Sequence, residues 1–295
     1  MKKSTVALIA AVIFFGVMVS VSAIVVCLPE GDHAGMIEIN RAGEGHDKTV
    51  RLPRFNSVRM PTHDDSARAP YYFFISSEDP MFVINEVDSV TDPSITFAPD
   101  WEPYLTYTVD SAGCLSIDFN FADHIDPYYT SKGYTQGVSV NAPIVLTVPK
   151  GMLASVCFGC EDDMLPYVEL NGLTASKFTW TGISTWKMAE CRIDTLDVNI
   201  DGSCSRAGRT MLLECCDSKV ANMNILRANR GLVLRTDSVS SVGCLSVYGG
   251  YEDSSELDLR EARCGSLRWN PRTGSNLTMR VSSGMKVAFE PGGGL

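Results

Sequence analysis

The residues of this chain equipped for chemistry are its ten cysteines, four histidines and several paired acids. Cys157-Phe158-Gly159-Cys160 is a Cys-x-x-Cys. In a redox pair of that kind the helix that follows lowers the thiol pKa. Here no helical pattern follows, and Glu161-Asp162-Asp163 makes a thiolate harder to form. Structural zinc takes a second pair at matching spacing. The next cysteine is Cys191, and Cys215-Cys216 are adjacent rather than spaced. Cys191, Cys204, Cys215, Cys244 and Cys264 read instead as small residues filling turns and a β interior. With Cys27 set aside, nine cysteines remain (10 − 1), an odd number that cannot all pair within the chain. A local Cys157–Cys160 bridge stays open to a chain outside the cytoplasm. No metal and no cofactor is expected.

The acids are no more committal. Asp64-Asp65 and Asp162-Asp163 sit in turn-like contexts where carboxylates are simply solvated. Glycoside hydrolysis needs two carboxylates facing one cleft. Gly43-Glu44-Gly45-His46-Asp47-Lys48 lacks the glycine before lysine that a phosphate loop carries. No Gly-x-Ser-x-Gly, His-Glu-x-x-His or Gly-x-Gly-x-x-Gly occurs. No catalytic residue is assigned.

The elements that would have to position any site are short strands. From Val168 to Phe289 the chain repeats one phrase, apolar–any–apolar, followed by a polar turn. It appears as Val168-Glu169-Leu170, Phe178-Thr179-Trp180, Trp186-Lys187-Met188 and Leu196-Asp197-Val198. It returns as Leu232-Val233-Leu234, Leu245-Ser246-Val247, Leu257-Asp258-Leu259, Leu267-Arg268-Trp269, Leu277-Thr278-Met279 and Val287-Ala288-Phe289. Alternate strand residues face opposite sides, so each phrase buries two side chains and shows one. Trp180, Trp186 and Trp269 fall on buried positions, as core rather than as a sugar platform. The outward residues, Glu169 through Ala288, make one mixed surface rather than a charged cluster. A phrase this short is stable only when stacked on copies of itself. The expectation is an all-β fold, a parallel β-solenoid (β-helix-like) with two phrases per coil and a coil of roughly 20 residues.

Upstream, Lys2 and Lys3 precede an uncharged run from Ser4 to Leu28. That is long enough to cross a bilayer as one transmembrane helix. A cleaved signal ending near Val21-Ser22-Ala23 and a lipidated Cys27 are the competing readings. All three put residues 29–295 outside the cytoplasm, as the ectodomain of a single-pass protein or as an exported one. The expected organisation is 1–28 anchor or signal, 29–48 linker, 49–148 an irregular β region packing on or capping the solenoid, 149–291 the repeats, and 292–295 a tail. The formal charge is −10, and no basic, aromatic-laced stripe occurs, so nucleic acid is not an expected partner. The repeats run almost to the end of the chain, which makes Val287 and Phe289 an expected interaction edge.

Leu52-Pro53-Arg54-Phe55-Asn56-Ser57-Val58, Ala112-Gly113-Cys114-Leu115-Ser116-Ile117, Val145-Leu146-Thr147-Val148-Pro149 and the repeats occur in that order. Over residues 50 to 290 this resembles the auto-transporter adhesin, head GIN domain family of bacterial envelope proteins. The family's ladder often carries Ser-Gly-Ala phrases, where this chain has Asn171-Gly172-Leu173 and Thr181-Gly182-Ile183. The resemblance implies a ladder of short parallel strands and brings no catalytic residues. The expected function is a non-catalytic, adhesin-like binding or structural module of the cell envelope. The alternatives are a polysaccharide-processing β-helix enzyme and an ectodomain that senses envelope state. Expected partners are the membrane, through residues 4–28 if uncleaved, and a second copy, an envelope protein or a glycan.

Overall fold

The computed structural model describes residues 36–41, 46–60, 71–75, 80–131, 136–158, 167–182, 184–200, 210–228, 231–248, 255–270, 277–283 and 285–289. From Ile37 onward they belong to one compact unit. Residues 1–28, read above as anchor or signal, lie outside the described residues. Among the described ones no helix is long and apolar enough to cross a membrane.

The first strands are β1 (Ile37–Ile39), β2 (Lys48–Arg51), β3 (Ser57–Met60), β4 (Tyr71–Ile75), β5 (Phe82–Val87) and β6 (Ser94–Phe97). Then come β7 (Leu105–Val109), β8 (Cys114–Phe119), β9 (Gln136–Val140), β10 (Ile144–Pro149) and β11 (Ser155–Phe158). The repeats supply β12 (Tyr167–Asn171), β13 (Thr174–Thr181), β14 (Thr185–Ala189), β15 (Arg192–Ile200), β16 (Thr210–Cys216) and β17 (Lys219–Ala228). They end with β18 (Gly231–Thr236), β19 (Ser241–Tyr248), β20 (Ser255–Leu259), β21 (Cys264–Asn270), β22 (Leu277–Val281) and β23 (Lys286–Phe289). Helix among the described residues amounts to α1 (Pro127–Ser131) and two three-residue turns at Pro99–Trp101 and Ala122–His124.

Two ten-stranded sheets carry the fold. Sheet 1 runs β2-β6-β10-β5-β12-β14-β16-β18-β20-β22, and sheet 2 runs β23-β21-β19-β17-β15-β13-β11-β3-β8-β7. From β11 onward the chain visits the two sheets in turn, and each strand pairs in parallel with the one two places on. One circuit therefore advances each sheet by one strand. Its length varies: 18 residues from Val168 to Trp186 (186 − 168), 27 from Leu196 to Met223 (223 − 196), and 22 from Leu245 to Leu267 (267 − 245).

Parallel register stacks like on like. In sheet 1, Phe82, Val168, Trp186, Leu213 and Leu234 are successive partners. In sheet 2 the column is Val58, Val156, Trp180, Val198, Ile225 and Val247. Every one of these is at most 2% exposed. Fully burying a side chain of this size stabilises by about 1.5–3 kcal/mol, so each rung of these columns adds to the cohesion of the stack. Between the sheets the rings of Trp180 and Trp186 lie face to face, centroids 4.1 Å apart and 10° from parallel.

The corner leading from sheet 1 to sheet 2 is itself a stack. Gly172, Glu190 and Asp217 turn it with φ of 74°, 58° and 41°. The left-handed conformation costs a non-glycine residue about 1–2 kcal/mol, so Glu190 and Asp217 need compensation. It comes from the buried column behind them, Leu173, Cys191, Ser218, Ser240 and Ala262. The Cys191 amide donates to Ser218 Oγ at 3.0 Å, and the Ser218 amide to Ser240 Oγ at 2.8 Å. These hydroxyls satisfy backbone groups that the turn takes out of water.

The near end departs from a simple cap. Within the stretch read as linker, β1 pairs in parallel with β9, and β9 also pairs with β4. Ile39 is fully buried, which a solvated linker would not permit. Within residues 49–148, β3 and β8 continue sheet 2, and β5 and β10 continue sheet 1, all in parallel. Among the described residues the antiparallel pairs are β6 with β10, β2 with β6 and β7 with β8, and they close that end. Trp101, Phe119, Phe121 and Tyr104 pack there as an aromatic cluster, with the Trp101 indole donating to the Ala142 carbonyl at 2.9 Å.

Candidate functional site

The topology sorts the outward side chains into two unlike faces. On sheet 1, Glu169, Lys187, Glu214 and Arg235 are successive partners in register. Opposite charges therefore alternate up the ladder. Lys187 meets Glu169 at 3.2 Å, Arg235 meets Glu214 at 3.4 Å and Glu261 at 2.9 Å, and Arg280 meets Glu256 at 2.6 Å. Arg260 hydrogen-bonds Asp258 at 2.6 Å and holds that carboxyl well below its usual range, at about 2. This face is closed on itself electrostatically.

The outer face of sheet 2 is different. Thr179, Asp197, Asn224, Ser246 and Arg268 stand on adjacent strands in register. Further along, Thr181 pairs with Asn199, a bulge after Val198 puts Arg227 opposite Asn199, and Tyr248 pairs with Asn270. From β13 to β19 the carboxylate on these rungs is Asp197. It is 7% exposed, and Ser246 is 9% exposed, although both lie on the outward side of their strands. Asp197 is fully engaged: Lys177 Nζ lies 2.9 Å from Oδ2, and Asn224 Nδ2 donates to Oδ1 at 2.8 Å. Asn199 Oδ1 is sealed from solvent and accepts no hydrogen bond. Leu226 is 40% exposed and Tyr248 half-buried. The surface is thus a row of hydroxyls and amides around one paired carboxylate, with Lys177 and Arg227 on the same strands.

The residues singled out from sequence fall elsewhere. Among the described residues the cysteines 114, 191, 215, 216, 244 and 264 form no disulfide. Cys191 and Cys215 are buried as expected, whereas Cys244 and Cys264 are only partly so. Burial pushes the Cys191 and Cys264 thiols up to about 11 and raises Cys215 as well, so none is a ready nucleophile. Cys160, Cys204, Asp64-Asp65 and Asp162-Asp163 lie outside the described residues. Trp180 and Trp186 are core, as their phrase positions require. Val287 stands 37% exposed on β23, which pairs with β21 and is the last strand of sheet 2, and the backbone of Phe289 lies opposite Trp269.

One acid was not signalled by any motif. Glu86 follows the inward phase of Phe82 and Ile84 and ends at the corner beside Gly172. A Cβ on Gly172 would come within 2.9 Å of the Glu86 carbonyl oxygen. Glu86 Oε1 accepts the Thr174 amide at 2.9 Å, while Oε2 is buried without a partner. Burial raises its pKa against the hydrogen bonds from Thr174 and Gly151. Glu86 is thus tied to the corner through its bond from the Thr174 amide.

No family model matches the chain, and no curated protein does. Solved structures do. A proposed adhesin from Parabacteroides merdae is 10% identical over 88% of this chain and 99% of its own, with a TM-score of 0.35. One from Bacteroides fragilis is 11% identical over 83% and 95%, with a TM-score of 0.35. A proposed lipid-binding protein from Parabacteroides distasonis is 9% identical over 86% and 99%, with a TM-score of 0.34. The chain is similar to proposed bacterial adhesins. What each of those proteins binds belongs to it, and the function of this chain rests on its own surface.

Proposed function

We propose that this protein is a β-solenoid binding module of a bacterial cell envelope, exported or tethered by residues 4–28, and that it performs no catalysis. The observation that carries the reading is the outer face of sheet 2. It is a continuous polar track whose one carboxylate between β13 and β19 is already held by Lys177 and Asn224. Glycoside hydrolysis takes one carboxyl kept protonated and a second kept ionised across the same cleft. Asp197 has no such companion on the track, and the acids of the other sheet are matched to cations. That arrangement suits holding a ligand. The names of the similar structures, adhesin and lipid-binding protein, are of the same non-enzymatic kind. The far end of the ladder is a second proposed contact, through Val287 and Phe289, with another copy or an envelope protein adding a strand.

The test is cosedimentation of the full chain, kept in mild detergent, with washed bacterial envelope fragments. Saturable binding that weakens in Asn224→Lys and Ser246→Lys is expected, with no release of reducing sugar. Binding indifferent to both changes, or sugar release abolished by Asp197→Asn, would overturn the reading.

A further inference from the structure

We infer that copies of this chain assemble head to tail, the far end of one solenoid docking on the near end of the next. The inference rests on the far-end contact proposed above and commits it to a second copy. Among the described residues both sheets finish there on an edge, β22 in sheet 1 and β23 in sheet 2. An edge strand presents unpaired backbone N–H and C=O groups to any strand that approaches it. The core also runs out through that end. Met279, Val281 and Val287 stand opposite Leu257, Leu259 and Leu267, which are at most 3% exposed. Val281 and Val287 are each 37% exposed, so the inward columns are continued but not covered.

Two observations choose the occupant. The first is the pair of edges. A single added strand serves one sheet, whereas the near end of another copy offers an edge to each, β2 in sheet 1 and β7 in sheet 2. β2 is antiparallel to β6 and β6 to β10, so β2 keeps the sense of the ladder; β7, antiparallel to β8, reverses it. A stacked copy therefore adds a parallel strand to β22 and an antiparallel one to β23. The second observation is charge. From Ala262 to Phe289 the chain holds five Lys or Arg and no acid. From Ser94 to Ser131 it holds six Asp or Glu and no Lys or Arg. On sheet 2, Lys286 of β23 and Arg268 of β21 are exposed and share the outward phase. At the near end Glu102 leads into β7, and Asp118 of β8 stands opposite Thr106, both acids being exposed. Joined unlike ends bring those cations toward those acids, whereas two far ends together oppose like charges. Because the two surfaces differ, the contact does not close on itself and repeats along the stack.

The experiment is analytical ultracentrifugation of the full chain in mild detergent, with the charge of each end reversed in turn. Arg268→Glu/Lys286→Glu alters the far end, and Glu102→Lys/Asp118→Lys alters the near end. The parent should associate beyond a dimer as its concentration rises, and added salt should weaken that association. Each variant alone should associate about tenfold more weakly, because every contact takes one end of each kind. Mixed in equal amounts, the two should associate again, since unlike charges then meet, and this recovery also shows that both are folded. A parent that stays monomeric at every concentration, a near-end variant that associates as strongly as the parent, or a mixture no stronger than its components would overturn the inference. If the parent is monomeric yet still binds envelope fragments through Asn224 and Ser246, the head-to-tail contact is wrong and the binding module stands. If the parent assembles but ignores the fragments, the contact stands and the envelope reading fails.

Discussion

Trp180 and Trp186 offer the sharpest test of how the two sheets are held. Both are fully buried, their rings stack at 4.1 Å, and neither indole N–H has a hydrogen-bond partner. Truncating a buried tryptophan to alanine costs about 3–5 kcal/mol, through lost burial and the cavity left behind. The stacked pair adds about 0.5–1.5 kcal/mol that either truncation removes. Phenylalanine is another matter. It keeps a ring against the partner and deletes a buried donor whose isolation costs about 1–3 kcal/mol. That relief offsets the smaller ring, so Trp186→Phe is expected to fall within about 1.5 kcal/mol of the parent. Trp186→Ala should lose at least twice that. Urea unfolding followed by far-UV circular dichroism measures both. Near-UV circular dichroism should show coupled indole bands that vanish in Trp180→Phe or Trp186→Phe and persist in Trp101→Phe. If Trp186→Phe is as damaging as Trp186→Ala, the N–H is satisfied and the reasoning fails.

Other consequences are equally direct. Gly182 has φ 113°, and a Cβ there would run into the Phe158 carbonyl oxygen, whereas a Cβ on Gly151 (φ 67°) meets nothing within 4 Å. Gly182→Ala should therefore cost more than Gly151→Ala, whose penalty is the left-handed backbone alone, about 1–2 kcal/mol; equal melting temperatures would contradict this. Hydrogen bonds from Ser240 and the Asp217 amide hold Asp237 down at about 2, so its contribution is present above the ordinary carboxylate range and is lost as pH falls toward 2. Asp237→Asn should be less stable than the parent at pH 7 and indistinguishable near pH 2, and a constant difference across a pH series of melts would refute it. Alkylation of the native protein at pH 8 should spare Cys191 and Cys215, which are buried with raised pKa, and mass mapping that finds them modified first would contradict the packing. Sedimentation of the full chain across concentration, beside Val287→Lys/Phe289→Lys, should show self-association only in the parent if a second copy closes the far end; a monomer in both removes that role.

Much of this protein was legible in its residues one after another. A two-residue alternation is a local property, and it correctly implied strands and named side chains that prove buried, among them Val168, Leu170, Phe178, Trp180, Trp186 and Met188. Met211-Leu212-Leu213 and Met223-Asn224-Ile225 keep the same alternation, with outer residues just as buried, yet were passed over. What alternation does not contain is register. Parallel partners here are set by circuits of 18 to 27 residues, and the variable part is turn, which carries no period. The outward residues taken in chain order mix charged and neutral side chains, and looked like one surface. They are two surfaces, because successive phrases belong to opposite sheets. Only the tertiary structure separates Glu169, Lys187 and Glu214 from Thr179, Asp197 and Asn224, and only it brings β3 beside β11 across 98 residues (Ser155 − Ser57). The sequence by itself determined which side chains point in. The pairing of distant strands, where hydrogen bonds and buried columns must close together, decided which of the others share a face.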